Sequence, residues 1–157
     1  MTEEFSKNFV LYKARNDDSG AASQWSLGSK RDCVFLEMAN QAGKNNKGNA
    51  KFDWENKIIF KLGETDIGEI LAVLMGLQQG VGPFDQAKNK HKGLFHSNKD
   101  GNSILYFGKD EHGKYRIYLS VKRGEKRTAI QHALSNGEAC ILGILLRRAV
   151  EIIYRLD

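Results

Sequence analysis

Apolar and polar positions alternate along most of the chain, and twice the alternation hands over to helical spacing. Alternation puts successive side chains on opposite faces of a strand, whereas an apolar stripe at three- and four-residue intervals marks one face of a helix. The first half reads as four strands and a helix. Phe9 to Arg15 (FVLYKAR) is mixed, the turn-rich NDDSGAAS follows, and a short strand is centred on Trp25. Asp32 to Ala39 is the third strand, with Val34, Leu36 and Met38 on one face and Cys33, Phe35, Glu37 and Ala39 on the other. Gln41 to Lys51 is Gly, Asn and Lys, and predicts a mobile loop. A fourth strand alternates Phe52, Trp54, Ile58, Phe60 and Leu62 against Asp53, Glu55, Lys57 and Lys61, which assigns Phe52 and Trp54 to the core. Asp66 followed by Glu69 predicts the cap of a helix whose stripe is Ile67, Ile70, Leu71 and Leu74.

A connection from Gly80 to Gly93 holds the single proline, Pro83, and the pattern then starts again. Gly93 to His96 and Ser103 to Lys109 flank the turn NKDGN, and Lys114 to Lys122 follows the turn KDEHG. In that last strand Tyr115, Ile117, Leu119 and Val121 form a core-like face, while Arg116, Tyr118, Ser120 and Lys122 form a basic, aromatic and hydroxylic one. A final strand ends near Leu134, and Ser135 with Glu138 is a capping box opening a helix of about twenty residues. The helix is apolar over a broad face, at Ile141, Leu142, Leu145, Leu146, Ala149, Ile152 and Ile153. That is more than one small sheet needs, so part of it is expected to meet another copy of the chain.

The two halves align. A shift of 71 residues lays Ile59 on Ile130 and the apolar run from Ile70 to Leu74 on Ile141 to Leu145, the mark of a duplicated unit. At 157 residues with 41% hydrophobic content, the chain suits one domain of two tightly joined halves: about 8–79, a connection of about 80–92, and about 93–157.

Charge changes the picture when it is divided. Residues 1–80 hold ten Lys/Arg against eleven Asp/Glu, whereas residues 81–157 hold fourteen against eight, so the second half carries the net charge of +5. A pI near 9.2 with clustered bases favours a polyanionic partner, although a solvated surface produces such clusters too. The clusters are Lys88, Lys90, His91 and Lys92, then Lys122, Arg123, Lys126 and Arg127. No apolar run is long enough to span a bilayer, and the start, MTEEFSKN, lacks the build of a signal or transit peptide. The expectation is no membrane association and an intracellular location, cytoplasmic or nucleoid-associated, or the host cytoplasm for a phage-encoded chain. Cys33 and Cys140 lie far apart within apolar patterns and are expected to be buried free thiols.

Catalytic signals fail on inspection. Gly108 to Lys114 (GKDEHGK) satisfies GxxxxGK, yet Tyr115 stands where Ser or Thr should bind magnesium, and a strand follows where a helix N-terminus should face phosphate. A hairpin turn is the better reading. His91 and His96 have no ligand-rich helix or Cys partner nearby, and no base or nucleophile is placed to work with Glu37. No enzyme, cofactor or metal site is expected.

The strongest local signature is FDW, then KIIFKL, then ETDIGEIL, an aromatic strand running into a helix start at fixed spacing. It resembles the Whirly family of single-stranded DNA-binding proteins, relatives of the transcriptional coactivator positive cofactor four. That family has a Tyr-Asp-Trp strand followed by a Thr-Glu-(Val/Ile)-Gly helix start. The resemblance covers roughly Phe9 to Ile153; VFLEMA is similar to the family's apolar third strand, and LYKAR takes the place of its Lys-Gly-Lys-Ala-Ala-Leu motif. There the chain departs, since Lys13-Ala14-Arg15-Asn16 keeps two bases spaced by one residue and lacks the small-residue run. The resemblance implies an α+β fold: a duplicated β-β-β-β-α unit with two antiparallel four-stranded sheets and packed helices. It also implies a homo-oligomer through those helices, a tetramer in preference to a dimer, with single strands held on strand edges and faces.

Binding a single strand without strict sequence choice takes cations along a track and flat rings on which bases stack. Arg116, Tyr118 and Lys122 supply both on one strand face, with Arg123 beyond them, although Tyr118 reads equally as cover for a sheet. Lys13, Arg15, Lys30 and Arg31 are the matching cations of the first half, and Lys57 and Lys61 alternate along the fourth strand. Trp25, on a short and polar strand, is the stacking candidate there. The function expected is a non-catalytic single-stranded DNA-binding protein serving replication, recombination, repair or transcription. The alternatives are an RNA-binding or annealing protein, since stacking does not distinguish sugars, and a protein-interaction cofactor without strand binding.

Overall fold

In the computed structural model, which describes residues 8–99 and 101–156, two antiparallel meanders are each followed by a helix. β1 (Phe9–Lys13), β2 (Ala21–Leu27), β3 (Val34–Lys44), β4 (Ala50–Phe52) and β5 (Ile58–Leu62) precede α1 (Glu64–Leu74). A small hairpin of β6 (Phe84–Asp85) and β7 (Lys90–His91) stands between the halves, and β8 (Leu94–Asn98), β9 (Gly101–Lys109), β10 (Tyr115–Arg123) and β11 (Lys126–Leu134) precede α2 (Asn136–Tyr154). The second sheet has the order β11-β10-β9-β8, and the first runs β1-β2-β3-β5, with β4 pairing the far end of β3. This is an α+β fold built from a duplicated unit. Residues 1–7, on which the reading of the N-terminus rested, and Asp100 of the NKDGN turn lie outside the described residues.

Burial corrects the register of the repeat from 71 to 72. Ile58 and Leu62 are buried as Ile130 and Leu134 are, with Phe60 and His132 between them, and the helices begin 72 residues apart at Glu64 and Asn136. Under the shift of 71, Ile59 would match Ile130, yet Ile59 is exposed and Ile130 is buried. A one-residue slip turns every side chain of a strand to the other face, so burial discriminates where apolar identity does not. The long apolar runs of the two helices match almost equally well either way.

Four local expectations are also corrected. The fourth strand is broken by a turn of 3-10 helix at Trp54–Asn56, which leaves Phe52 and Trp54 half-buried rather than in the core. The polar stretch after Gln41 is a hairpin instead of a structureless loop: β3 continues to Lys44, and Asn45 Oδ1 accepts from the Lys47 and Asn49 amides. α1 begins before Asp66, whose carboxylate reaches back to the Gly63 amide at 3.1 Å, so Asp66 closes the first turn and does not precede it. Cys33 is buried as expected, but Cys140 is exposed because it follows Ala139, the buried residue of that turn.

The core lies between the inner faces of the two sheets and beneath the helices. Trp25 faces Leu36 across β2 and β3, and Phe107 faces Ile117 at the equivalent place in β9 and β10. The halves pack reciprocally, β5 against β10 and β11 against β2 and β3, while α1 lies on α2 and β9. Those contacts leave the opposite face of each sheet outward.

Candidate nucleic-acid interface

Strand alternation decides what the outer face of the second sheet presents. Ile117, Leu119 and Val121 are buried, which turns Arg116, Tyr118 and Lys122 outward. Pairing then sets neighbours: Tyr118 lies between Tyr106 and Gln131, Ser120 between Ile104 and Ala129, and Lys122 between Asn102 and Arg127. The rings of Tyr106 and Tyr118 are 5.7 Å apart, both half-buried, and Phe95, across from Ile104 and 66% exposed, continues the aromatic surface toward β8. Ser120 departs from its expected place on an open polar face, since it is buried and accepts a hydrogen bond from Arg127 Nη1 at 3.1 Å. With Phe84 and His91 of the β6-β7 hairpin, these rings line a groove of about 1100 Å³.

Tyr106 and Phe95 were missed from sequence although a signal existed. The turn KDEHG centres the β9-β10 hairpin on His112, which by counting places Tyr106 opposite Tyr118. Phe84 and His91 carried no such signal, because only the folding back of the connection brings them to the groove.

The first sheet differs at the matching positions. Gln24, Glu37 and Ile59 occupy the row that Tyr106, Tyr118 and Gln131 fill in the second. Glu37 accepts from Gln24 Nε2 at 3.1 Å and pairs with Lys57, and Ile59 is apolar and exposed, so this row has no ring for a base.

The cations gather in two clefts. Lys13, Arg15 and Arg116, together with Lys114, line one of about 660 Å³ that also reaches Ser135 and Asn136 at the start of α2. Gln41 organises this corner: its Oε1 accepts from the Arg15 amide at 2.8 Å and the Gly20 amide at 3.1 Å, while its Nε2 donates to the Arg15 carbonyl at 3.1 Å. Lys13 is committed to an ion pair with Glu138. Burial alone would raise the Glu138 carboxyl, but hydrogen bonds from Lys13 and the Ser135 amide outweigh it and hold it below the usual range. Lys57, Lys61 and Arg123 line the second cleft, of about 290 Å³, between β5 and the β8-β9 hairpin. Lys30 and Arg31 stand apart in the turn from Gly28 to Cys33, and Lys122 lies exposed near the β10-β11 turn.

Trp25 is a correction. It is 1% exposed, and its indole N–H points to Ser23 Oγ at 3.4 Å inside the core, so no base can stack on it. The short strand looks polar in sequence because Ser23, Gln24 and Ser26 surround Trp25. Ser23 is in fact buried and binds His132 Nε2 at 2.7 Å, while His132 Nδ1 donates to the Ala133 carbonyl at 2.9 Å. A neutral imidazole completes this chain from β2 to β11, with Ser23 donating to Nε2.

Desolvation pushes His132 below the ordinary histidine range, with Lys13 adding to it against the Ala133 carbonyl and Glu138. The unfolded chain therefore takes up a proton first as pH falls. Stability is full above the unfolded value of about 6.5 and declines below it until the folded imidazole also titrates. The melting temperature is expected to fall between pH 7 and pH 5 with a steeper slope than in His132→Gln. Parallel slopes for the two proteins would refute a neutral buried His132.

The phosphate-loop lookalike is a hairpin turn joining β9 to β10, with Asp110 Oδ1 accepting from His112 and Lys114 amides at 2.8 and 3.0 Å. His91 bonds the Gly82 carbonyl at 2.7 Å, and His96 stacks on Phe60 at 4.0 Å and bonds Asp66 at 3.1 Å. Among the described residues no group of three His, Cys, Asp or Glu could hold a metal, and no helix is long and apolar enough to cross a membrane.

Residues 15–143 match the family model described as Whirly transcription factor. No curated protein is significantly similar in sequence. Among solved structures the chain is similar to the plant transcriptional regulator PBF-2, with a TM-score of 0.71 and 19% identity over 96% of this chain and 83% of that one. It is similar to WHY3 from Arabidopsis thaliana, with a TM-score of 0.67 and 17% identity over 96% and 89% of the two chains. A guide-RNA-binding protein complex bound to a guide RNA gives a TM-score of 0.65 and 14% identity over 98% and 94%. At such identities the structural likeness is one of fold, whereas the family match runs from just after β1 through both sheets to the first turns of α2. The chain belongs to the Whirly family.

Proposed function

We infer that this protein binds single-stranded nucleic acid without catalysis, along a track over the outer face of the second sheet. The observation that carries the reading is the half-buried Tyr106-Tyr118 pair, continued by Phe95 and flanked by Arg116 on one side and Lys122 with Arg127 on the other. Rings stack any base, and cations replace the counterions of the phosphates, so affinity follows without sequence readout. Single-stranded DNA is the ligand proposed, in replication, recombination, repair or transcription and hence inside the cell, cytoplasmic or nucleoid-associated. RNA is the second reading, favoured by the likeness to a guide-RNA-binding complex.

Assembly is part of the proposal. Ile141 and Ile144 on α2 and Met75 and Leu77 after α1 are exposed apolar residues, which supports a homo-oligomer through the helices, a tetramer before a dimer.

Fluorescence anisotropy with a labelled thirty-nucleotide DNA single strand, its duplex and the matching RNA tests this at two salt concentrations. The DNA strand is expected to bind ahead of the duplex and to weaken as salt rises, by about 0.7 in the log-log slope per phosphate contacted. RNA binding tighter than DNA would transfer the assignment to RNA. Binding to none of the three would end the nucleic-acid reading. Sedimentation equilibrium of the same sample reads the assembly, and a monomer would refute the oligomer.

A further inference from the structure

The connection between the halves does more than join them. Its first residues take over the sheet edge that β8 leaves: Val81 N donates to the Phe107 carbonyl at 3.0 Å, Lys109 N donates to the Gln79 carbonyl at 3.0 Å, and Gly80 bridges Gly108. The approach is close enough that a Cβ on Gly108 would sit 2.6 Å from the Gln79 carbonyl oxygen. Glu69 of α1 fixes the other side, with Oε1 accepting from the Gly82 amide at 2.7 Å and Gln78 Nε2 at 3.0 Å. The return is equally determined. Gly93 N donates to the Val81 carbonyl at 3.0 Å, and a Cβ at Gly82, whose φ is +84°, would lie 2.1 Å from the Gly93 oxygen.

Covering a sheet edge needs only that backbone. The chain nevertheless extends into the β6-β7 hairpin, which carries Phe84, 49% exposed, and the exposed Lys88, Lys90 and Lys92. Phe84 is held edge-on to His91 at 5.3 Å, and His91 is held by the Gly82 carbonyl at 2.7 Å. Both rings line the groove floored by Tyr106 and Tyr118. A groove lined by these rings and by Lys90, Lys109 and Arg127, with Asp110 and Glu111 at the β9-β10 turn, suits a flat ligand whose phosphates lie on the lysine side.

We propose that the hairpin is a clamp: it holds nucleobases of a single strand between Phe84 with His91 and the Tyr106-Tyr118 floor, while Lys88 and Lys90 take the adjoining phosphates. The inference rests on the strand-binding reading above and adds a second wall to the track. A duplex keeps its bases stacked inside, so it cannot fill the groove, and the clamp selects single strands by shape.

The test uses the full chain and an oligothymidylate of about ten nucleotides carrying one 2-aminopurine, a base whose fluorescence is quenched by stacking. Phe84→Ala, Lys88→Ala/Lys90→Ala and Tyr118→Ala are compared with the parent, with melting curves to verify folding. Phe84→Ala is expected to bind about ten-fold more weakly and to lose part of the quenching. The double lysine variant is expected to lower the salt slope by about 1.4. Parent-like binding in both, with Tyr118→Ala weakened, would overturn the clamp and leave the sheet face as the site. Failure of the parent itself to bind would overturn both.

Discussion

Replacing Tyr106 and Tyr118 together with alanine is expected to weaken binding of a thirty-nucleotide single strand by about a hundred-fold while leaving the fold intact. Each stacked base contributes about 1–3 kcal/mol, so losing two platforms removes at least about 2 kcal/mol, and a hundred-fold corresponds to about 2.8 kcal/mol, toward the low end of that range. Both rings stand on the outer face, half-buried, with centroids 5.7 Å apart, so their truncation opens no cavity among the fully buried residues between the sheets. Anisotropy titration measures the loss, and an unfolding free energy within about 1 kcal/mol of the parent in denaturant titration verifies that folding is not its cause. The salt slope is expected to stay unchanged, since no phosphate contact is removed. A double variant that binds like the parent would remove the second sheet as the platform. The corresponding change on the first sheet, Gln24→Ala with Ile59→Ala, is expected to leave affinity nearly untouched, because that row offers no ring.

The opposite result is expected of Trp25→Ala. Trp25 is fully enclosed at the centre of the first sheet, against Leu36 and within the cluster that includes Phe60. Truncating a buried tryptophan costs about 3–5 kcal/mol, from lost transfer energy and the remaining cavity. Domains of this size are stable by about 5–15 kcal/mol, so the variant loses a large share of its margin, and its melting temperature should drop by about 10 °C. Ser23 also loses a donor, although its bond to His132 remains. Below the melting range, strand affinity per folded molecule is expected to match the parent. Unchanged stability with weakened binding would return Trp25 to the surface role that its polar neighbours suggested.

The outward Tyr118 and the buried Trp25 mark the boundary of what the sequence makes readable. Strand existence, the two helices and the Ser135-Glu138 capping box follow from local pattern, because alternation, helical spacing and capping are properties of neighbouring residues. The 3-10 turn at Trp54 was not readable, since an alternating pattern continues through it and only the long β3, pairing β5 at one end and β4 at the other, forces the break. The one-residue error in the repeat has a similar origin: similarity of apolar runs says nothing about facing, and burial does.

The candidate site divides along the same line. Arg116, Tyr118 and Lys122 were legible as one face of a strand because their partners in alternation are strongly apolar. Lys13 and Lys57 were legible as cations but not as engaged ones, because Glu138 and Glu37, which occupy them, are distant in sequence or on another strand. Trp25 reads as a surface ring because its strand is short and polar, and a serine buried beside a histidine of the other half looks the same in sequence as one in water.

By itself, then, the sequence determined the duplicated strand-and-helix plan, the basic second half and the aromatic, basic face of β10, all of which depend on the order and periodicity of nearby residues. The tertiary structure alone decided which cations are engaged in ion pairs, which tryptophan is core, and that the connection between the repeats folds back so that Phe84 and His91 line one groove with Tyr106 and Tyr118. Those outcomes depend on pairing across tens of residues, where register and burial choose among faces that local pattern leaves equivalent.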